Sequence, residues 1–390
     1  MTSRERLLTA LDCKAPDRLP ATTHHLMPSF LADFEGGRDE DGFWRETGLD
    51  PVRWHAAFSP DAAQGEILDP AHDPGPYAAR RVLSDSWRIT ETPLEHDRYD
   101  TVSVVVETPG GALRTVLQSD RHTAWVTERP LRSRRDIDVL ARHAPVLRCD
   151  VEELRQYARE RRGDALLRGA VPGFDVYGQP GCWQDAAVLF GIEELILATY
   201  DDPAWVHEFL AVLQRRKLGW IHSLKGAPYD LIELGGGDAS ATVISPAIFE
   251  EFVAPYDAPL IEAMHEAGQR VVYHICGGIM PVLDLVLAMK PDAIETFTPE
   301  EMGGDADLAE AASRIDGRAC MIGGFNQNRH FAGCTEEETR AAVRACFHKA
   351  GGNGAYILSP SDHFFHAEAR LLRAFADEAH TCVYAGHGHG

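Results

Sequence analysis

Two stretches decide the fold: residues 229–238, YDLIELGGGD, and residues 270–278, RVVYHICGG. Each is a short, mostly apolar run that ends in glycines beside an acidic or metal-binding side chain. An apolar run of this length, bounded by turn residues, is typical of a buried strand. Because helix-like segments separate such runs, the pattern predicts parallel strands in one sheet with helices on both faces.

Similar runs recur on either side of these two stretches, at residues 165–170, 293–297, 319–323 and 355–359. With a short strand at 21–25 and one within 81–90, the number of strands approaches eight. Helix starts are predicted by Thr2 with Glu5, Asp202 before Pro203, Ser245 before Pro246, and Thr335 with Glu338. We therefore predict an α/β fold, a (β/α)8 TIM barrel that forms a single domain over residues 1–390.

Residues 81–130 follow a different pattern, in which apolar and polar residues alternate. The alternation is clear at Thr101–Val106 and Leu113–Leu117, and Gly110-Gly111 separates these two runs. A period of two with glycines between the runs indicates a β-hairpin. We predict an antiparallel, β-rich insertion at 81–130 that acts as a cap or lid on the barrel.

The composition excludes several classes of function. Of 390 residues, 44% are hydrophobic, and 60 acidic residues against 38 basic ones give a net charge of −22. This charge disfavours nucleic acid and anionic lipid as partners, and no apolar run is long enough to span a membrane. The eight cysteines form no CxxC pair, and the charged N-terminal residues lack the apolar core of a signal peptide. We expect a cytoplasmic enzyme with reduced thiols and a small-molecule substrate.

Active sites of such barrels lie at the carboxyl ends of the strands. Polar or metal-binding residues follow nearly every predicted strand, and the strand interiors are mostly apolar. The candidates are His24, His25, Asp238, His274, Cys276, Glu295, Asn326, Gln327, Asp362 and His363. In an extended segment, consecutive side chains alternate, so we expect only one of His24 and His25 to face the mouth of the barrel.

His274-Ile275-Cys276 is the clearest local signal. Residues two apart on a strand point the same way, so the imidazole and the thiol could bind one ion, and zinc prefers such donors. The alternative is a half-buried histidine beside a packing cysteine. Glu295 at the next strand end would be costly to bury without a partner. Gly236-Gly237-Asp238 is either a tight turn or part of a binding site.

Several strings resemble the uroporphyrinogen decarboxylase superfamily. They are SRERLLTAL and PDRLP near the N-terminus, SPAIFEEFVAPYDAPLIEAMHEAG before VVYHICGG, and then IGGFNQ and YILSPSDH. The resemblance covers residues 3–382 and implies a (β/α)8 barrel, which agrees with the strand count. The main branches are porphyrinogen decarboxylases and zinc-dependent methyltransferases, which move methyl groups between a corrinoid protein and a thiol, amine or aryl ether.

The resemblance favours the methyltransferase branch. Porphyrinogen decarboxylases carry an arginine-rich N-terminal motif, whereas residues 20–31, PATTHHLMPSFL, contain no arginine. The methyltransferases carry His-x-Cys, a glutamate about twenty residues later, and a further Cys that Asp362 replaces here. The resemblance thus implies a zinc site at His274, Cys276, Glu295 and Asp362, with His363 as the alternative to Asp362.

The leading hypothesis is metal-dependent methyl transfer from a small O-, N- or S-methyl donor to a corrinoid protein. The chain itself has no Asp-x-His-x-x-Gly string for cobalamin, so the corrinoid would be carried by a separate protein. Asp238, His363 or His25 would supply a proton. Substrate-binding residues would be His24, Met27, Trp54, Trp125, Asn326, Gln327 and Phe364, with Phe365 beside them.

Two other hypotheses remain open. One is a metal-free lyase or decarboxylase of the same superfamily that acts on a small carboxylated substrate. The other is a non-catalytic binding barrel, for which the missing later Cys is the only support. The resemblance also implies a homodimer.

Overall fold

Seven parallel strands form the central sheet of the computed structural model, which describes residues 1–72, 75, 80–174 and 176–384. Its strand order is β1-β10-β11-β12-β13-β14-β15. In chain order, the strands are β1 Val52–Trp54, β2 Phe58–Ser59, β3 Ile67–Leu68, β4 Val82–Leu83, β5 Arg88–Leu94, β6 Asp100–Thr108, β7 Gly111–Ser119, β8 Ala124–Glu128, β9 Arg148–Cys149, β10 Leu166–Ala170, β11 Leu231–Gly235, β12 Val271–His274, β13 Ala293–Thr296, β14 Cys320–Phe325 and β15 Tyr356–Pro360.

The residues around Ala21 take the eighth position of the barrel. Ala21 forms a parallel bridge with Leu358 of β15, and Thr22 N donates to Leu358 O at 2.9 Å. On the other side, Asp50 N donates to Ala21 O at 2.7 Å, just before β1. The predicted (β/α)8 architecture is therefore confirmed, but the expectation of a barrel strand within 81–90 is wrong. The barrel strand that the sequence analysis did not predict is β1, whose three residues are too few to show a periodic pattern.

The helices follow the predicted caps. They are α1 Ser3–Leu11, α2 Pro28–Asp33, α3 Glu40–Thr47, α4 Asp136–His143, α5 Val151–Arg161, α6 Cys182–Phe190, α7 Ile192–Asp201, α8 Pro203–His222, α9 Pro246–Ile248, α10 Ala254–Glu266, α11 Leu283–Ala288, α12 Leu308–Ile315, α13 Gln327–His330, α14 Glu336–Ala350 and α15 Ala369–Thr381. Thr2 and Thr335 form capping boxes with Glu5 and Glu338. A π-helical turn, Phe249–Val253, joins α9 to α10. In the described part of the chain, no helix has the length and apolar character that crossing a membrane requires.

Inward-facing residues fill the barrel in layers. One apolar layer contains an inward-facing residue from each of three strands, Leu166, Leu231 and Ala293. These residues pack with Leu7 and Leu11 of α1. Because side chains alternate along a strand, the inward position two residues further on lies closer to the carboxyl end. In β10, β11 and β13 that position carries a charged side chain, so the apolar layer beside α1 lies beneath a polar one.

The insertion forms an antiparallel sheet of four strands, β5 to β8. Thr108 pairs with Gly111 where β6 turns into β7, as the glycines predict. At the tip between β7 and β8, the Asp120 carboxylate accepts hydrogen bonds from the backbone N–H groups of His122 and Thr123. This tip points back toward the barrel, and its contacts are described below.

Asp50 ties both sides of the barrel closure together. Its carboxylate is fully buried, accepts from Ala21 N at 3.0 Å and pairs with Arg6 at 2.7 Å and Arg18 at 3.2 Å. We expect Asp50→Ala to lower the free energy of unfolding by about 3–5 kcal/mol, because it leaves the Arg6 guanidinium buried without that partner. Urea denaturation would measure the change.

The matched control is Asp377→Ala, which removes an exposed partner of Arg340. An exposed ion pair contributes about 0–1 kcal/mol, so the control should unfold at nearly the wild-type urea concentration. Equal effects of the two substitutions would contradict the role assigned to Asp50.

Candidate active site

Two carboxylates, one guanidinium and two imidazoles meet inside the barrel, near the carboxyl ends of its strands. Each of these residues is at most 9% exposed. We call this group the inner cluster; its members are His24, Arg168 of β10, Glu233 of β11, His274 of β12 and Glu295 of β13. Four neighbouring strands and the segment after Ala21 therefore contribute a charge or a potential charge to one buried point.

Arg168 lies between the two carboxylates. Its Nη2 is 2.5 Å from Glu233 Oε2 and also contacts Glu295 Oε1, and its Nη1 is 2.9 Å from Glu295 Oε2. The guanidinium carbon stands 4.4 Å from the centroid of the Trp54 ring. A planar guanidinium suits both arrangements, because it can bind a carboxylate through two nitrogens while it stacks on an aromatic ring.

Glu295 also orients the two histidines. His274 Nδ1 is 2.9 Å from Glu295 Oε1, and His24 Nε2 is 3.2 Å from the same oxygen and 3.3 Å from Glu233 Oε2. A carboxylate behind one ring nitrogen fixes the tautomer and the direction of the other. Glu295 thus stands behind His274, with both of its oxygens in contact with Arg168.

Electrostatic interactions favour the ionised form of both glutamates. Burial alone would raise the pKa of Glu295, but the charges of Arg168 and His24 hold it well below its usual range, and the pKa of Glu233 is lowered in the same way. Burial would lower the pKa of His274, but a hydrogen bond with Cys276 and the two carboxylates raise it well above its usual value. Arg168 and the histidines therefore support the ionised form of the glutamates.

Cys276 lies on the open side of His274. Glu295 is hydrogen-bonded to Nδ1 of this histidine, and the Cys276 side chain makes a further hydrogen bond with the ring. Two glycines allow this close approach. A Cβ on Gly235, where φ is +106°, would lie 2.4 Å from His274 O, and a Cβ on Gly237 would lie 2.5 Å from Cys276 Sγ.

Asp238 follows the same glycines in a short 3-10 turn. Its Oδ2 accepts from Gln184 Nε2 at 3.0 Å, and its N donates to Gln184 Oε1 at 2.6 Å. Burial raises the pKa of the Asp238 carboxyl, and the charge of Arg129 and the bond to Gln184 offset this only in part. A carboxyl with a raised pKa keeps its proton at a higher pH and can donate it to a reacting group.

Asp362 and His363 follow β15 beside His24 and His25. His363 Nδ1 is 2.9 Å from Asp362 Oδ1. Burial would raise the pKa of Asp362, but this bond and the charges of His274 and His24 lower it. Both His24 and His25 face this region, with ring centroids 4.0 Å apart. The expectation that only one would do so fails, because the regular strand pattern ends at Ala21.

Several predicted substrate-binding residues make packing contacts in the structure. Trp54 is buried under Arg168, and Met27 packs against the core before α2. Phe364 is also buried, between Phe30 and Phe331. The ring of Trp125 meets Tyr99 within the insertion, at 4.8 Å. All four side chains thus have packing contacts, and their substrate-binding role stays a prediction.

The two predicted amides have structural partners. Asn326 caps α13 by accepting from Arg329 N, and its Nδ2 donates to Glu301. Gln327 holds the loop after β15, because it accepts from Ser361 N at 3.1 Å and donates to Asp362 O at 3.2 Å. Gln327 therefore positions the Asp362 segment.

Sequence reasoning missed Arg168 and Glu233. Both lie inside apolar runs, Leu166-Leu167-Arg168 and Leu231-Ile232-Glu233-Leu234. The charge itself was the sequence signal that could have indicated a site, because a charge inside an apolar strand is buried and requires a partner of opposite sign.

The tip of the insertion reaches the mouth of the barrel. His122 Nδ1 is 3.4 Å from Ser29 Oγ, the His122 ring lies 5.0 Å from the Phe365 ring, and Arg121 pairs with Asp33. Phe365 in turn contacts the His363 ring at 5.1 Å. The tip thus lies one side chain away from His363.

The donor set fits a metal ion. His24, Glu233, His274 and Glu295 each offer a nitrogen or oxygen atom within 4.8 Å of the others. Arg168 already supplies positive charge to both carboxylates. Of the predicted ligands, only His274 and Glu295 are in this group; Cys276 hydrogen-bonds to His274, and Asp362 interacts electrostatically with His274. These are donors that zinc accepts.

Comparisons with known proteins agree with this architecture. Over nearly its full length, the fold matches a solved methyltransferase from Methanosarcina mazei at 14% identity, with 97% of this chain and 98% of that chain covered and a TM-score of 0.59. D-psicose 3-epimerase from Clostridium cellulolyticum H10, solved with D-tagatose, matches over 59% of this chain and 82% of its own at 12% identity. Its TM-score is 0.36, which carries no argument. No curated protein matches the sequence.

The family model described as "Uroporphyrinogen decarboxylase (URO-D)" matches residues 120–381. This range begins inside the insertion and includes β10 to β15, which carry every member of the inner cluster except His24. The barrel, the strand-end residues and the family match agree, and the chain belongs to the uroporphyrinogen decarboxylase family.

Proposed function

We propose that this protein is a metal-dependent methyltransferase that moves a methyl group from a small methylated ether, amine or thioether to a corrinoid protein. The observation that carries the proposal is the pair His274 and Cys276, at a barrel strand end, with Glu295 behind the histidine. A histidine that is held by a carboxylate at one nitrogen and faces a thiol beyond its ring is arranged as a metal ligand.

His274 and Cys276 would hold the metal, and Asp362 is the nearby carboxylate that could complete the set. A bound zinc would supply Lewis acidity, which stabilises negative charge on the heteroatom that carries the methyl group. Glu295 keeps the His274 ring in place, and Arg168 keeps Glu295 ionised. The inner cluster is thus the support of the proposed ligands.

In the proposed transfer, the bond between the methyl carbon and the heteroatom breaks. The methyl group would pass to the corrinoid acceptor, which would supply the electron pair for the new bond. The electron pair of the broken bond stays on the heteroatom, which then needs one proton. Asp238 supplies that proton, since burial keeps its carboxyl protonated to a higher pH than usual.

The insertion would act as a lid. Its tip meets Ser29, Asp33 and Phe365 at the mouth, where it would shield the reaction from water. Exclusion of water strengthens the electrostatic interactions in a site and protects a reactive corrinoid.

We expect Cys276→Ala to lower the rate of methyl transfer to cob(I)alamin at least about 100-fold, because a metal ligand is lost at the reacting atom. In protein loaded with Co²⁺, the wild type should also show a thiolate-to-cobalt absorption band that the variant lacks. A panel of methyl ethers, amines and thioethers would supply the donors.

Cys334→Ala is the matched control, because Cys334 is also partly exposed but bonds to Thr339 and His330 outside the site. It should leave both the rate and the absorption band unchanged. A wild type that releases carbon dioxide from a carboxylated substrate after treatment with chelator, and transfers no methyl group, would favour the metal-free lyase.

Glu295→Gln tests the support of His274. We expect the affinity for Co²⁺ at the thiolate-containing site to fall about 10–100-fold, the usual effect of losing a carboxylate behind a ligating histidine. Titration of the thiolate-to-cobalt band would measure it. Glu378→Gln is the control, because Glu378 is also buried and paired with arginines, but far along the chain in α15.

The same substitution should alter acid stability. The pKa of Glu295 is below its ordinary value of 4.5 in the folded chain, so its ionised form stabilises the fold above about pH 4.5. That contribution is lost as the pH falls through the lowered pKa. Urea denaturation between pH 7 and pH 3 should therefore show a smaller pH-dependent loss for Glu295→Gln than for the wild type. Parallel curves would contradict the ionised state assigned to Glu295.

A further inference from the structure

Three imidazoles converge at the mouth of the barrel, beside the proposed His274 and Cys276 site. His24 and His25 follow the barrel bridge at Ala21, and His363 follows β15. One ring nitrogen of each lies within 4.8 Å of a ring nitrogen of the other two. We call these residues the histidine triplet. Their convergence depends on the closure of the barrel, because Ala21 pairs with Leu358 of β15.

One ring nitrogen of His24 contacts carboxylates, and the other is open to a ligand. Its Nε2 lies 3.2–3.3 Å from carboxylate oxygens of Glu295 and Glu233. Its Nδ1 is buried and has no hydrogen-bond partner among the residues that the structure describes. A buried ring nitrogen without a partner is costly unless something binds it. The carboxylates hold a proton on Nε2, and a cation would bind Nδ1 in place of any proton there.

His363 has the same arrangement at the opposite nitrogen. Its Nδ1 is 2.9 Å from Asp362 Oδ1, which leaves Nε2 for a further partner. A histidine that binds a metal usually donates its other N–H to a carboxylate, and two members of the triplet meet that condition. The His363 side chain is 34% exposed, so an ion can reach the triplet from solvent.

His25 completes the triplet. Its ring centroid lies 4.0 Å from that of His24, and one of its ring nitrogens lies within 4.8 Å of a ring nitrogen of His24 and of His363. Its ring also packs against Trp54 at 4.4 Å between centroids, which restricts its orientation.

We propose that His24, His25 and His363 form a divalent transition-metal site of three imidazole nitrogens, separate from the His274 and Cys276 site and open to a fourth, exogenous ligand. Three nitrogen ligands with an open fourth position are typical of zinc that binds water or a substrate oxygen. At zinc–nitrogen distances of about 2.0–2.1 Å, ligand nitrogens lie about 3.3 Å apart, so the three rings must close slightly around the ion. The site goes beyond methyl transfer, because metal binding here does not depend on which reaction the barrel catalyses.

The test uses the full chain with Cys276→Ala, which removes the thiolate donor and isolates the triplet. After treatment with chelator, Co²⁺ is titrated and followed by visible absorption and by metal content per chain. We expect the Cys276→Ala protein to bind Co²⁺ with no thiolate band. Adding His25→Ala or His363→Ala should weaken that binding at least about tenfold, because each removes a direct ligand.

The matched control is His265→Ala in the same background, because His265 also bonds a carboxylate, Asp292, at 2.9 Å, but lies in α10. It should leave Co²⁺ binding unchanged, and far-ultraviolet circular dichroism would confirm that each variant is folded. Failure of Cys276→Ala to bind Co²⁺ would overturn the proposal, as would equal binding with and without His25 and His363. Because the readout is metal binding, this test remains valid even if the protein transfers no methyl group.

Discussion

Two carboxylates buried side by side repel one another, and Arg168 is the residue that allows Glu233 and Glu295 to share the interior of the barrel. At an effective dielectric constant of about 20, two charges about 4 Å apart interact by about 4 kcal/mol, so the repulsion is large on the scale of protein stability. The guanidinium contacts both carboxylates and stacks on Trp54. Strands β10, β11 and β13 and the end of β1 are therefore fixed relative to one another.

This arrangement determines which way the histidines face. Glu295 is hydrogen-bonded to Nδ1 of His274, so the rest of that ring is directed to Cys276. The carboxylates are hydrogen-bonded to Nε2 of His24, so Nδ1 of that ring stays open to a ligand. The open nitrogens thus lie on the side away from Arg168. One buried group of ions thus orients donors of both proposed sites.

Much of the fold could be predicted because its signals are local. Thr2 with Glu5 and Thr335 with Glu338 form the predicted capping boxes, and the strand before His274 lies within the predicted residues. The start of the barrel could not be predicted as well. Val52–Trp54 and the bridge at Ala21 are too short for a periodic pattern, and their pairing depends on distant strands.

The site was partly predictable for the same reason. The position of a residue at a strand end indicated His274 and Glu295, which the structure brings to 2.9 Å. The same rule also selected Asn326, which caps α13 in the structure, and its substrate-binding role stays a prediction. Arg168 and Glu233 were missed because each lies inside an apolar run, where the significance of a charge depends on partners that only the closed barrel supplies.

Charge balance links the inner cluster to the proposed chemistry. Arg168 offsets one of the two glutamate charges, so with neutral histidines the inner cluster carries one net negative charge. Metals bind the neutral form of histidine, so a metal at the proposed His274 and Cys276 site would draw on that charge through the hydrogen bond between Glu295 and His274. The burial of two glutamates around one arginine thereby favours a cation at the mouth of the barrel.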